Sequence, residues 1–441
     1  MSLAATALGA EYVERSEGNS SVARCKICTR SCEARLLTLS RPAARLLVHF
    51  KSRDLAVLHK QGQFWHIFFL SGGAIISQDE KDTWTCHLPI ALDADWKSID
   101  PEDAIAQVLG GVHGPCKIKV DQILVTSVWR PNIAIADRYV SAKGRVFLSG
   151  DAAHQNIPTG GYGMNTAIGD SFDIGWKLSA VTQGWGGKYL LQSYDIERYP
   201  VAMRNIERSG VHGSVHATYA TWVLNSNEEK ATLSHDDSEL RESIIQLVAS
   251  RDGENKDHGI EMGYRYNGSP VIIPDTAVAE PAWNYRTYVP STWPGARAPH
   301  VYLNDGETSI HDLFGREYTL VDFTKDGVVA QAFSHVAAEL KVPLNTVHLP
   351  DEPHVAKIYE RDAVLVRPDD HVAWRAPLDG FQVEDVARIL RIAVGKESVL
   401  SDEEIDTQRS IMVAGVKENE FTLTVGHVCE GEVDGLAEFQ K

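Results

Sequence analysis

The chain is short of sulfur and of positive charge, and each shortage excludes a class of protein. Six cysteines in 441 residues are too few for the disulfide frameworks that hold small secreted domains together. Lysine and arginine number 43 against 60 acidic residues, a formal net charge of −17. Nucleic acid binding relies on clustered cations that displace counterions, so no nucleic acid partner is expected. No apolar run approaches the roughly 20 residues that cross a bilayer, so no membrane partner is expected either. The opening MSLAATALGAEYVERSEG has no basic segment followed by a sustained apolar one. The expected compartment is therefore the cytoplasm. What is present is ordinary for a globular protein: 43% hydrophobic and 23% charged residues, enough for two or three cores.

Half of the cysteines cluster as CKICTRSC, at Cys25, Cys28 and Cys32. Close thiolates suit tetrahedral metal ligation, but no fourth ligand is evident nearby, and no metal is expected.

Residues 144–178, GRVFLSGDAAHQNIPTGGYGMNTAIGDSFDIGWKL, carry the most information. Val146, Phe147 and Leu148 suit a buried strand that stops at Gly150 and Asp151, leaving a carboxylate at the strand's carboxyl end. Open α/β sheets bind cofactors there. The loop that follows contains Pro158, Gly160, Gly161 and Gly163, whose small profile lets backbone N–H groups approach a flat or anionic ligand. A helix is expected next, with Ala167, Ser171, Ile174, Leu178 and Val181 on its buried face. Its amino end, at Met164 and Asn165, points back at the loop and favours negative charge. A strand–glycine–helix corner in an ordinary α/β core is the bland alternative.

In these residues the chain resembles the FAD-dependent aromatic hydroxylases of the para-hydroxybenzoate hydroxylase and phenol 2-monooxygenase type. The match is strand-GDAAH-x3-P-x-G-G-x-G-M-N-x4-D-x5-W-K-L, preceded by VWRPNIAIADRYVSAKGRVFLSGD with Arg138 just before the GD strand. The resemblance implies that Asp151, beside Gly150, holds the ribityl chain of FAD. Pro158, Gly160, Gly161 and Gly163 line the isoalloxazine, and Met164 and Asn165 stabilise charge at its pyrimidine edge. Arg138 joins this cofactor set by its place in the pattern. His154 belongs to the motif but reads as a structural hydrogen-bonder.

Upstream, residues 46–90 read as strands rich in aromatics and β-branched residues, resembling the substrate domain. In QFWHIFF one parity carries His66 beside Phe68. These two are the candidate substrate contacts, since a histidine among aromatics can help deprotonate a phenol; a packed histidine on a half-buried strand is the alternative. Residues 12–24, YVERSEGNSSVAR, look like a degraded copy of the family's D-G-x-x-S-x-V-R motif, with Gly18, Ser21 and Arg24 in place. No G-x-G-x-x-G occurs in the chain, and a βαβ unit of about thirty residues does not fit before Tyr12.

The fold class expected is therefore α/β and α+β. It comprises an incomplete FAD-binding Rossmann-like domain, a β-sheet substrate domain and a C-terminal thioredoxin-like domain. The expected divisions are 1–40, a remnant of the FAD-binding domain; 41–125, the substrate sheet; 126–215, the GD-motif portion; 216–290, helices and linker; 291–400, thioredoxin-like without C-x-x-C; and 401–441, an acidic tail. Pro290, Pro294 and Pro299 suggest an extended linker into the fifth part.

The function implied is a monooxygenase that uses FAD, NADPH or NADH, and O₂ to hydroxylate a small phenolic or aromatic polyketide-type substrate, as in secondary metabolism. Baeyer–Villiger oxygen insertion, a catalytically impaired relative and a possible homodimer stay open.

Overall fold

The computed structural model describes residues 20–24, 33–40, 43–62, 64–69, 72–111, 114–130, 132–141, 143–229, 238–251, 254, 256–378 and 380–418. Cys25, Cys28, Cys32, most of the 12–24 motif and the acidic residues after 418 lie outside them.

Strands β1 (Ser20–Arg24) and β2 (Glu33–Ser40) pair antiparallel. A five-stranded antiparallel sheet follows, built from β3 (Ala43–Lys51), β4 (His66–Phe68), β5 (Ala74–Ser77) and β6 (Thr83–Ala91), with β7 (Gln122–Trp129) after helix α1 (Pro101–Gly110). Its order is β4-β5-β6-β3-β7. Helix α1 begins where the Asp100 carboxylate accepts the N–H groups of Glu102 and Asp103 and Pro101 fixes the first φ. It buries Ala104, Ile105 and Val108 against Leu46, Val48, Phe50, Trp84 and Cys86. Each large apolar side chain sequestered this way contributes about 1.5–3 kcal/mol. Strand alternation then turns Arg45, Leu47, His49, Thr85 and His87 to the opposite face. The expected division at 125/126 falls inside β7, which belongs with this sheet because it pairs with β3.

Next come β8 (Asn132–Ala136), paired with β2, and the short β9 (His154–Gln155), paired with β8. The buried strand expected at 146–148 is a correction: Phe147 makes one bridge to Val140, and the three apolar residues are only half-buried. Their backbone partners are Tyr139 and Ser141 rather than a full ladder. Every strand pair in this sheet is antiparallel, so the described part of it is not a parallel Rossmann sheet.

Helices α2 (Tyr162–Thr182) and α3 (Lys188–Glu229) pack together, followed by α4 (Ser238–Arg251) and α5 (His258–Glu261). The 215/216 division cuts α3. The buried face of α2 also differs from expectation. It carries Tyr162, Thr166, Asp170, Asp173, Ile174, Lys177 and Ala180, while Ser171 and Leu178 face outward. Charged partners on α3 and beyond make this polar face the sequestered one. Met164, Ile168 and Phe172 remain exposed.

The last unit runs β10 (Tyr318–Asp322), α6 (Val328–Leu340), β11 (Leu344–His348), α7 (Pro353–Tyr359), β12 (Ala363–Val366), β13 (Val372–Arg375) and α8 (Val386–Ala393). Its sheet order is β11-β10-β12-β13, with β10 and β11 parallel and the other pairs antiparallel. The proline-rich 290–299 stretch is a correction to the linker reading. Trp293, Ala296 and Ala298 are buried, and the backbone bonds residues 370 and 372 beside β13. Residues 401–418 are no tail: α9 (Asp402–Glu418) is a helix. Ser401 Oγ accepts the Glu404 N–H and the Glu404 carboxylate accepts the Ser401 N–H, a reciprocal cap. Ile405 is buried, and Arg409 bonds the Gln192 carbonyl on α3.

Arg367, from the turn after β12, enters the space between α2 and α3. Its guanidinium donates to Glu197 and Asp369 and lies over the rings of Trp176 and Tyr266. Lys177 bonds Asp173 at 2.7 Å and Glu197 at 2.6 Å. The Asp173, Glu197 and Asp369 carboxylates are thus gathered around two buried cations.

Candidate active site

The glycine-rich bend is held in shape by α3. Gly160 (φ 82°) and Gly161 (φ 67°) are left-handed, a conformation that disfavours any residue with a Cβ. Thr159 Oγ1 donates to the Ser209 carbonyl, Tyr162 Oη meets His212 Nε2 at 3.3 Å, and Asn205 donates to Thr166. Asp170 does the same for the GDAAH segment: one oxygen accepts the Gly150 N–H and faces His154 Nε2 at 2.8 Å, the other accepts from Arg198. Although burial opposes its charge, His154 and Arg198 hold the Asp170 carboxyl below its ordinary value. His154 is therefore buried and structural. Asp170, Trp176 and Lys177 of the motif serve packing and charge pairing inside the fold.

The remaining motif residues face outward. Asp151, Pro158, Gly161, Met164 and Asn165 are exposed, and Gly160 and Gly163 are half-buried beside them. A Cβ added at Gly161 would meet nothing within 4 Å, so the outer side of the bend is open to a ligand. The first turn of α2 directs its N–H groups there. These donors and the side-chain-poor bend fit the flat, electron-rich edge of FAD. Arg138 is exposed on the connection after β8, within electrostatic reach of Asp195.

His66 and Phe68 do share a face, with ring centroids 4.4 Å apart. Register extends that face across the sheet. His66 aligns with Ile76, Thr85 and His49, and Phe68 with Ala74, His87 and Leu47. His49 Nδ1 lies 3.0 Å from Thr85 Oγ1. Burial pushes the His66 imidazole down; burial, then Arg45 and His66, push His87 down to about 4. The alternation in LLVHFK and TWTCHLPIA was the available signal for His49 and His87.

Two further residues join the bend to this face. Glu254 accepts the Gly160 N–H with one oxygen and faces His216 Nε2 at 3.2 Å with the other. The His216 ring stands edge-on to Phe68, centroids 4.5 Å apart. Neither residue lies in a motif.

Residues 4–209 match the FAD binding domain model, and residues 291–396 match the aromatic-ring hydroxylase C-terminal domain. The chain belongs to the family of FAD-dependent aromatic-ring monooxygenases. The FAD-dependent monooxygenase apdD of Emericella nidulans is 42% identical over 80% of this chain, which covers 58% of that protein. The FAD-dependent monooxygenase opdD of Penicillium oxalicum is 42% identical over 79% of this chain and is covered over 68% of its own length. Among solved structures, the flavin-dependent monooxygenase PieE in complex with FAD and substrate superposes with a TM-score of 0.66 at 27% identity, covering 85% of this chain and 68% of that one.

Proposed function

We propose that this polypeptide acts as an FAD-dependent monooxygenase on a phenolic or aromatic polyketide-type substrate, with NADPH or NADH as reductant and O₂ as oxidant. The observation that carries this reading is the join between bend and sheet. Gly160, expected at the flavin, reaches Phe68, expected at the substrate, through only Glu254 and His216. A cofactor at the bend and a ring on the sheet would therefore be neighbours.

Asp151, Pro158, Gly160, Gly161, Gly163, Met164 and Asn165 would hold the cofactor, with Gly150 and Arg138 beside them. When bound, FAD supplies the hydride and oxygen chemistry. The protein's part is to orient the ring, exclude water and handle protons. His66 and Phe68 would contact the substrate. Hydroxylation is favoured over Baeyer–Villiger insertion because the sheet gathers histidines, His49, His66 and His87, that can hydrogen-bond a ring hydroxyl.

The strand order of the last unit supports the thioredoxin-like reading of 291–400. Without C-x-x-C its role is packing, through Arg367, or dimerisation.

Absorbance tests the core of this proposal. The purified chain mixed with FAD should retain yellow flavin bands after desalting, and should oxidise NADPH or NADH faster when a phenol is added. Colourless protein that quenches no FAD fluorescence would overturn it.

A further inference from the structure

The Glu254 and His216 pair stands outside every motif, yet it joins the bend to the sheet face. Each side chain is about one-sixth exposed, 15% for both, so the pair is accessible to a small ligand but largely desolvated. Phe68, 43% exposed, offers an apolar surface beside it and touches both the His66 and the His216 rings, each at 67° to it. An aromatic ring laid on Phe68 would bring a substituent to the pair. A histidine oriented by a carboxylate is the arrangement that accepts a proton and stabilises the resulting imidazolium.

Resting on the function proposed above, we propose that the Glu254–His216 pair takes the proton of the substrate's phenolic hydroxyl. The O–H bond breaks, the proton passes to the pair, and the phenolate left behind faces the imidazolium held by Glu254. No other reactant is needed. The phenolate ring is richer in electrons than the phenol, as attack on an electrophilic oxygen requires. His216 rather than His66 is the ring that faces a carboxylate directly. Groups facing His216 include Glu254, Tyr219 on its own helix with centroids 5.6 Å apart, and Phe68 with His66 on β4. His87 and Arg45 stand behind His66 on the sheet, and Tyr162 of the bend lies within the field of Glu254. Glu254 is an anion in contact with His216, and its charge favours proton transfer toward the imidazole.

The probe is 4-nitrophenol, whose phenolate absorbs visible light and whose phenol does not. Bound to the full chain, its phenolate-to-phenol ratio should rise about tenfold over buffer, one pKa unit. Glu254→Gln should lower that rise, and His216→Asn should abolish it. In the unsubstituted chain the His216 imidazole resonance should move to its protonated position as the probe binds, which requires no variant to fold. Binding of the neutral phenol, no binding at all, an unchanged ratio in His216→Asn, or loss of the shift in His66→Asn alone would each overturn the assignment. If FAD binds while any of these holds, the pair's role fails and the monooxygenase reading stands.

Discussion

Arg367 holds Glu197 with two parallel N–H···O contacts, 2.7 and 2.8 Å long, across 170 residues of sequence. One residue belongs to the turn after β12 and the other to α3. The contact therefore fastens the C-terminal unit to the helix pair that shapes the glycine-rich bend. Both side chains are fully buried.

Removing Arg367 would leave Glu197, Asp173 and Asp369 with Lys177 as the remaining cation of the cluster. Breaking a buried pair by deleting one partner typically costs about 3–5 kcal/mol. Arg367→Met should lose that much stability in urea unfolding, with the midpoint falling and the C-terminal unit melting first.

The same cluster makes stability depend on pH. Burial, opposed by Lys177, pushes the Asp173 carboxyl up to about 7 from 3.8. Folding therefore binds a proton there, and the stability linked to it is fully present below pH 4 and lost as pH rises through 7. Glu197, which Arg367 and Lys177 hold down at about 2 against its burial, acts oppositely but only at acid pH. Urea midpoints should fall between pH 6 and pH 8, and Asp173→Asn should flatten that slope.

Gly160 cannot take a side chain. At φ 82° an L-residue is strained, and its Cβ would collide with the Tyr162 ring. Such strain costs on the order of 1–3 kcal/mol. Gly160→Ala should weaken FAD binding, followed by flavin fluorescence, by about tenfold or more, while far-ultraviolet circular dichroism stays unchanged.

Two leucine-sized residues of α2 separate the helix face expected from the sequence from the one observed. Ile174 packs with Tyr194, Tyr199 and Ile206, whereas Leu178 is 36% exposed. Ile174→Ala should cost about 2–5 kcal/mol. Leu178→Ala should cost under about 1 kcal/mol. Equal losses in thermal unfolding would restore the expected face.

The legible part of this protein was local. Glycines followed by a helix start, at 160–165, announce their geometry because φ and N–H direction are set within a few residues. QFWHIFF placed His66 and Phe68 on one side because alternation is a property of any strand. Ser401 and Glu404 carry a capping signal of the same local kind. The α2 face departs from its apolar spacing for a different reason. Apolar spacing identifies a buried stripe only when water is the alternative, and Asp170, Asp173 and Lys177 instead meet Arg198, Glu197 and Arg367.

The sequence alone determined the bend, the helix that follows it and the alternating strands, since each depends on residues near one another along the chain. Tertiary structure alone decided that Glu254 would meet Gly160, that His216 would stand against Phe68, and that Arg367 would be buried as a charge. Those pairings join residues far apart in the chain, and a carboxylate or guanidinium has no preferred partner until folding strips away its water.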